Sequence, residues 1–568
     1  MSSSKRDTFA TVLVVGAGPV GLLTAILLAR LGIDCLVVER RLPRQSSAPK
    51  AHVVNPRSLE IFRAAGLDVD EMYARGSPRD AAHHVWFVQT LVGRELGVIS
   101  TADLRTDKLT PTPMLNLSQP RLEAILEREA SRLPEVTIRR GHTWSGCRTD
   151  GGIIESSIEA SDGSHTVRSR YLIAADGANS GVREYLGIDM DGDPAVRERV
   201  TIHFEADLRP LLKDRLGFLY WIMAPDAAGT FICYDPASTW VYSPRFHPTT
   251  FVRADYSDDH CAAQIRRAIG VDDVRLQIKH VVPWTMAAQV ANAYRKGNCF
   301  LAGDAAHRFP PTGGLGLNTG LQDAHNLAWK IAAVERGRAD DALLESYERE
   351  RRPIAEINTR QSLHNAERLV PLFTNATTAL ATGKISAPAA QRIRDEIDAN
   401  RDHFTSAGLQ LGFSYGPPAR GPADSTRYEP SIDPGARLPH AWLVWNSKRL
   451  STLDLLEFGK FTILAGTMGK AWRTFADTCV DIRLVGLDAS VHFESEWPGS
   501  AVTSASGALL VRPDGHILAK APDDSDASRQ LLFRALQGYL SGAVGSDIGL
   551  SIVAPEVVNP GGQPAGGY

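Results

Sequence analysis

The sequence predicts an α/β protein, in which a parallel-stranded layer is interleaved with a mixed or antiparallel β-sheet and followed by a further α/β unit. Three observations carry this reading. An apolar strand near the N-terminus runs through a glycine-rich turn into an amphipathic helix; alternating apolar patterns fill residues 76–114 and 191–289; strand-like runs ending in a helix return after residue 436. At 568 residues, and about 150 residues per domain, the chain is too long for one core.

The first element is TVLVVGAGPVGLLTAILLARLG, residues 11–32. Thr11–Val15 reads as a strand, Gly16-Ala-Gly18-Pro19-Val20-Gly21 as the turn, and the following helix stops at Gly32. This strand-turn-helix context is what a dinucleotide pyrophosphate needs. Gly16 permits the tight turn, Gly18 lets backbone approach phosphates, and Gly21 lets helix and strand pack closely. Pro19 and Val20 open a helix whose N-terminus attracts negative charge. A second strand, Cys35–Val38, delivers Glu39 to ribose hydroxyls, with Arg40 beside it.

Three more segments belong to the same layer. APKAHVVNPRSLEIFRAAGL (48–67) carries His52 and Arg57. NLSQPRLEAILEREA (116–130) opens a helix at Gln119. SRYLIAADGANSGVREYLG (169–187) is a strand leading into a turn with Asp176, Gly177, Ser180 and Arg183. Finally, KGNCFLAGDAAHRFPPTGGLGLNTGLQDAHNLAWKIA (296–332) reads as a strand ending at Ala302, then Gly303-Asp304, a Pro/Gly loop and a helix from about Thr319.

The GAGPVG turn, the DG segment and the GD segment together resemble the single-component FAD-dependent aromatic hydroxylases of the p-hydroxybenzoate and phenol hydroxylase type. The fold implied is a Rossmann-like FAD-binding domain (1–75, 115–190 and 290–400) interleaved with a substrate-binding sheet domain (76–114 and 191–289). By this resemblance Asp304, after Gly303, binds the ribityl chain, and Pro311, Gly313, Gly314, Gly316, Leu317 and Asn318 surround the flavin ring. Asp176, Gly177 and Arg183 touch FAD and the nicotinamide donor, while Gln119 and Arg57 contact flavin. FAD is expected to be non-covalent, with NADPH or NADH as donor and O2 as co-substrate.

The chemistry implied is hydroxylation of a phenolic ring through a C4a-hydroperoxyflavin. His52 stands where phenol-hydroxylase relatives place a carboxylate beside substrate; with an ordinary pKa of about 6.5 it would accept a phenol proton near neutrality. His307 is another candidate. Tyr220, Tyr234 and Tyr242 offer phenolic partners from the sheet, and Pro310 and Pro311 stiffen the loop near the oxygen-reaction site. A larger polyketide phenol is an alternative substrate. Two other readings are a flavin dehydrogenase or reductase without oxygen insertion and a non-catalytic FAD scaffold. No second GxGxxG accompanies the first, which argues against a two-dinucleotide-domain reductase.

Composition excludes other classes. The net charge of −3 gives no electrostatic case for nucleic acid or an anionic membrane. No run of eighteen apolar residues suggests a spanning helix. Six scattered cysteines (35, 147, 233, 261, 299 and 479) suggest reduced thiols in a cytoplasmic protein, and no metal site is expected. Residues 401–435, rich in Gly, Pro and Ser, read as a linker. Residues 436–568 resemble the thioredoxin-like C-terminal domain of phenol-hydroxylase-type members. They lack CxxC, so their expected role is structural, supporting a homodimer. The tail NPGGQPAGGY is expected to be flexible.

Overall fold

A computed structural model of the chain describes residues 8–42, 50–78, 83–101, 107–245, 256–466, 470–479, 482–503 and 506–542. The tail read as flexible lies outside them. The protein is the α/β architecture the sequence implies. One sheet runs Arg295–Lys296, Cys299–Leu301, Gly163–Ala174, Thr8–Val15, Cys35–Glu39, Val136–Arg140, parallel along this path after its antiparallel first pairing; Ile153–Ala160 and then Thr143–Asp150 attach antiparallel to Gly163–Ala174. Strands Thr8–Val15 and Cys35–Glu39 are apolar almost throughout because the layer covers both their faces.

Close approach unites three distant segments at the carboxyl ends of these strands. Gly16 has φ 105°, and a Cβ there would stand 2.3 Å from the Ala175 carbonyl oxygen, beside Asp176. A Cβ on Gly320 would stand 2.7 Å from Val20 and 2.9 Å from the Cα of Gly303. Only glycine lets the helix Pro19–Arg30, the GD turn and the helix Leu315–Glu335 meet this tightly. That last helix starts at Leu315 rather than about Thr319. Gly314, at φ 64°, takes the left-handed conformation at its N-cap, so the helix begins directly after the glycine pair.

The second sheet runs His307–Arg308, Gln277–Ala291, Met190–Glu205, Thr239–Pro244, Gly229–Asp235, Leu219–Ile222, His84–Val88, Glu95–Ser100. It is antiparallel except where Leu219–Ile222 meets His84–Val88. Its edge is the short strand just after the GD turn: Val290 pairs with His307 and Gln289 with Arg308. The substrate-type sheet is thus joined directly to the flavin-type segment.

The C-terminal unit has the strand order Ile482–Gly486, Phe461–Ala465, Ala508–Val511, Ile517–Ala521, with helices Lys470–Thr478 and Asp526–Leu540. Residues 401–435 are not a loose connection. Phe413, Tyr415 and Tyr428 are buried, and Arg351 of the long helix Glu345–Ala381 donates to the Tyr415 hydroxyl at 2.9 Å. Aromatic side chains with buried partners override the Gly/Pro composition there. Among the described residues no helix is long and apolar enough to cross a membrane, and no group of three or more His, Cys, Asp or Glu gathers to hold a metal.

Candidate active site

The first turn is the expected adenine end. Helix Pro19–Arg30 has Gly18 as N-cap with no side-chain cap, and nothing lies within 4 Å of a Cβ placed on Gly18. Its N-terminal amides therefore face open space, with the helix dipole behind them. Glu39 is buried and accepts from the Ala17 and Arg41 amides, both at 2.9 Å. Burial opposes its ionisation, but those amides and the Arg41 guanidinium outweigh it and hold the carboxyl below its ordinary value. Arg40 is exposed.

The DG and GD segments meet through Arg183. Its Nη1 donates to the carbonyls of Ala178 and Ala305, at 3.2 and 3.3 Å. Ser180 caps the short helix Gly181–Leu186 by accepting from the Arg183 amide. Asp176 accepts from the Val182 amide at 3.3 Å through one oxygen, while its other oxygen is buried with no partner. Burial raises its pKa. Gly177, at φ 89°, leaves the space beside it open.

At the GD segment, the expected flavin end, Asp304 is exposed and makes no hydrogen bond among the described residues. Helix Leu315–Glu335 has no side-chain N-cap, so the amides of Leu315, Gly316 and Leu317 are left for an acceptor. Pro311 is exposed at the tip of this loop and Pro310 buried, with the Pro311 carbonyl accepting from the Gly314 amide. An orphaned buried carboxylate oxygen, two uncapped helix starts and a free Asp304 are what a phosphate-linked, hydroxyl-rich cofactor with a ring at one end would satisfy.

Several expected contacts go elsewhere. Asn318 spends its side chain inside the protein: Oδ1 accepts from the Asn55 amide and Ser58 hydroxyl, and Nδ2 donates to the Val53 and Gly314 carbonyls. Arg57 turns to the C-terminal unit, donating to the Asp514 carbonyl at 2.6 Å and pairing with Glu60 at 3.2 Å. His307 is completely buried, bonded through Nε2 to Asp323 at 2.7 Å and stacked on Phe309, so it is part of the framework. Tyr220 and Tyr242 lie on the sheet face packed under helix Asp258–Ile269, their hydroxyls donating to the Arg215 and Ala227 carbonyls. They do not meet His52. A one-residue change of register reverses the face a strand residue occupies, which sequence alone does not settle.

Tyr234 does meet His52. Their rings contact edge-on at 5.4 Å, with Phe218 at 5.9 Å on another side. Residues 51–54 run beside Leu115–Asn116, and Gln119 clamps Ala51 from both directions, amide to carbonyl and Oε1 to amide. Asn116, which sequence reasoning missed, fixes the imidazole. Its Nδ2 donates to the Ser77 hydroxyl and Cys233 carbonyl, so its Oδ1 faces His52 Nδ1 at 2.8 Å and requires the proton there. Nε2 is left with its lone pair, without a partner among the described residues. Burial lowers the imidazole to about 4, against the opposing pull of Asn116. The neighbouring Val53 lies 3.2 Å from a Cβ position on Gly314, so the backbone that carries His52 passes beside the glycine loop.

Comparison with known proteins shows the family. A family model described as FAD binding domain matches residues 9–362, and one described as aromatic-ring hydroxylase, C-terminal, matches residues 432–542. The chain belongs to the FAD-dependent aromatic-ring hydroxylases. It is 32% identical to 2,4-dichlorophenol 6-monooxygenase of Cupriavidus pinatubonensis, covering 92% of this chain and 95% of that one. It is likewise 32% identical to tetracenomycin A2 monooxygenase-dioxygenase of Streptomyces glaucescens, covering 94% and 98%. The solved structure of the flavin-dependent monooxygenase PieE with FAD and substrate superposes with a TM-score of 0.83 at 31% identity, covering 93% of this chain and 99% of that one. This hydroxylase is therefore a FAD enzyme that uses NAD(P)H and dioxygen on an aromatic substrate.

Two outcomes test the site. Replacing Asp304 by Ala lowers FAD affinity by about tenfold or more, the worth of a charge-assisted hydrogen bond, with the fold unchanged by circular dichroism; full flavin retention would remove Asp304 from the cofactor site. His52 is neutral in both folded and unfolded states above about 6.5. As pH falls from 6.5 to about 4 the unfolded chain binds the proton the folded chain excludes, so stability drops across that window. Urea titrations of wild type and His52→Gln should diverge there, and parallel curves would contradict the buried neutral ring.

Proposed function

We propose that this enzyme hydroxylates a phenolic ring held between the glycine loop and the sheet face carrying Tyr234, with His52 as its hydrogen-bond acceptor. The observation that supports the reading is the Asn116–His52 pair, which occupies Nδ1 and leaves the Nε2 lone pair without a partner among the described residues. FAD would be held by Glu39 and the Gly16–Gly21 turn at the adenine end, by Asp176, Gly177 and Arg183 in the middle, and by Asp304 with the Leu315–Leu317 amides at the ring. When bound and reduced, FAD supplies the activation of dioxygen.

The chain's own residues do the rest. A phenol of pKa about 10 does not transfer its proton in the ground state to an imidazole at about 4. His52 instead accepts the phenolic hydrogen bond, polarising the O–H and directing electron density into the ring as the new C–O bond forms. That replaces the expectation of an ordinary imidazole base near neutrality. Tyr234, whose hydroxyl donates to the Lys50 carbonyl, and Phe218 wall the ring and exclude water.

NADPH is the favoured donor. All six cysteines are free, which supports work in the reducing cytoplasm, and the C-terminal unit is the surface assigned to a homodimer. A larger polyketide phenol has the support of the relatives' range. The test is phenol-stimulated NADPH oxidation with labelled dioxygen. His52→Ala slows hydroxylation by about 10²-fold and releases peroxide while FAD stays bound, and His52→Gln, which keeps an acceptor, recovers part of the coupling. Equal coupling in all three proteins would exclude His52.

A further inference from the structure

The two faces of the substrate sheet differ in exposure. Ile222, Phe231, Cys233 and Tyr242 are buried beneath helix Asp258–Ile269, whereas Trp221, Thr230, Ile232 and Ser243, on the face shared with Tyr234, are only half-buried. That second face is only partly covered, by a cluster that includes Leu369 and Phe373. Two arginines stand on it. Arg199 alternates with the buried Val200 and Ile202, and Arg245 follows Pro244. The register sets Ile202 opposite Tyr242, and continuing it three residues sets Arg199 opposite Arg245.

Among the described residues neither side chain has a hydrogen bond or ion pair. Burial, followed by repulsion from Arg197, lowers Arg199 to about 10; burial, followed by Arg199 and Arg197, does the same to Arg245. No carboxylate of the described residues pairs with either. Two half-desolvated like charges side by side cost stability, offset among the described residues only by the Phe373 ring under Arg245, which is how a site awaiting an anion differs from a structural ion pair.

Their placement relative to the flavin loop sets a length. Asn365, Leu369 and Phe373 lie along one face of the long helix Glu345–Ala381. The Asn365 amide nitrogen is 3.3 Å from a Cβ position on Gly313, and the Arg245 guanidinium lies over the Phe373 ring at 4.2 Å. From Asn365 to Phe373 the helix rises about 12 Å. A single phenol ring held at the loop does not reach the arginines; a row of fused rings does.

We infer that Arg199 and Arg245 form an anion-recognition subsite of the substrate pocket, selecting a multi-ring phenol with a carboxylate remote from the ring that is hydroxylated. The inference rests on the reading that the Tyr234 face holds the phenol. Guanidinium forks match a carboxylate bidentately, and Phe373 stacked against Arg245 keeps one face of the fork dry.

The test is equilibrium binding to the FAD-loaded enzyme, read from the flavin absorbance, with rhein (a dihydroxyanthraquinone carboxylic acid) and its uncharged methyl ester. Wild type should bind the acid about tenfold or more tighter than the ester. Arg199→Gln and Arg245→Gln should bring the two affinities together without changing that of the ester, and Arg245→Lys should keep part of the preference. Equal affinities in wild type overturn the proposal, as does an equal loss for both probes in the variants. The readout involves no turnover. An enzyme that prefers the acid and hydroxylates neither probe contradicts the proposed phenol reaction while leaving the anion subsite standing.

Discussion

The carboxylate of Asp323 organises the flavin end of this enzyme. It sits fully buried in helix Leu315–Glu335 and accepts from the Gly303 amide at 3.1 Å, from His307 Nε2 at 2.7 Å and from Arg351 Nε at 2.8 Å. Burial would push its proton on, but Arg351 and His307 hold it ionised. One charge therefore fixes three elements: the GD turn, the strand that joins the substrate sheet, and the long helix. Asp304 owes its exposed position to that turn. A buried pair of this kind is costly to break, because the charge left behind is uncompensated by about 3–5 kcal/mol.

A second buried network extends the framework into the C-terminal unit. Glu350 binds Lys330 and Arg512, each at 2.7 Å, and accepts from the Tyr539 hydroxyl. Burial lowers Lys330 to about 8, with Glu350 pulling against it. Arg512 also pairs with Asp514, whose backbone carbonyl takes Arg57, while Arg437 reaches Glu60. The C-terminal unit is locked by charges to the helices that carry the flavin loop, and through Arg57 and Glu60 to the segment that carries His52. Its lack of a dithiol is consistent with this structural part.

What the sequence revealed follows from how local each constraint is. Gly16, Gly303 and Gly314 have positive φ, a requirement that leaves a mark in the chain wherever it occurs. The α/β layers and the joining of the flavin segments were legible on that basis. Asp323 was not, since an acidic residue inside a helix reads as solvated until the elements packed on it are known. Arg57 was misjudged because its partner lies more than four hundred residues away at Asp514. The choice between Tyr234 and its neighbours Tyr220 and Tyr242 depends on strand register. Asn116 had no signal beyond its place before Gln119, and its role appears only where Ser77, Cys233 and His52 converge.

If Asp323 sets the flavin turn, its loss must weaken the flavin end and spare the adenine end. The direct measurement is the dissociation constant of Asp323→Asn for FAD beside that for ADP, which occupies only the Gly16–Glu39 half. The account predicts that FAD affinity falls by about tenfold or more while ADP affinity is unchanged. Unchanged FAD affinity, or an equal loss for both ligands, would contradict it.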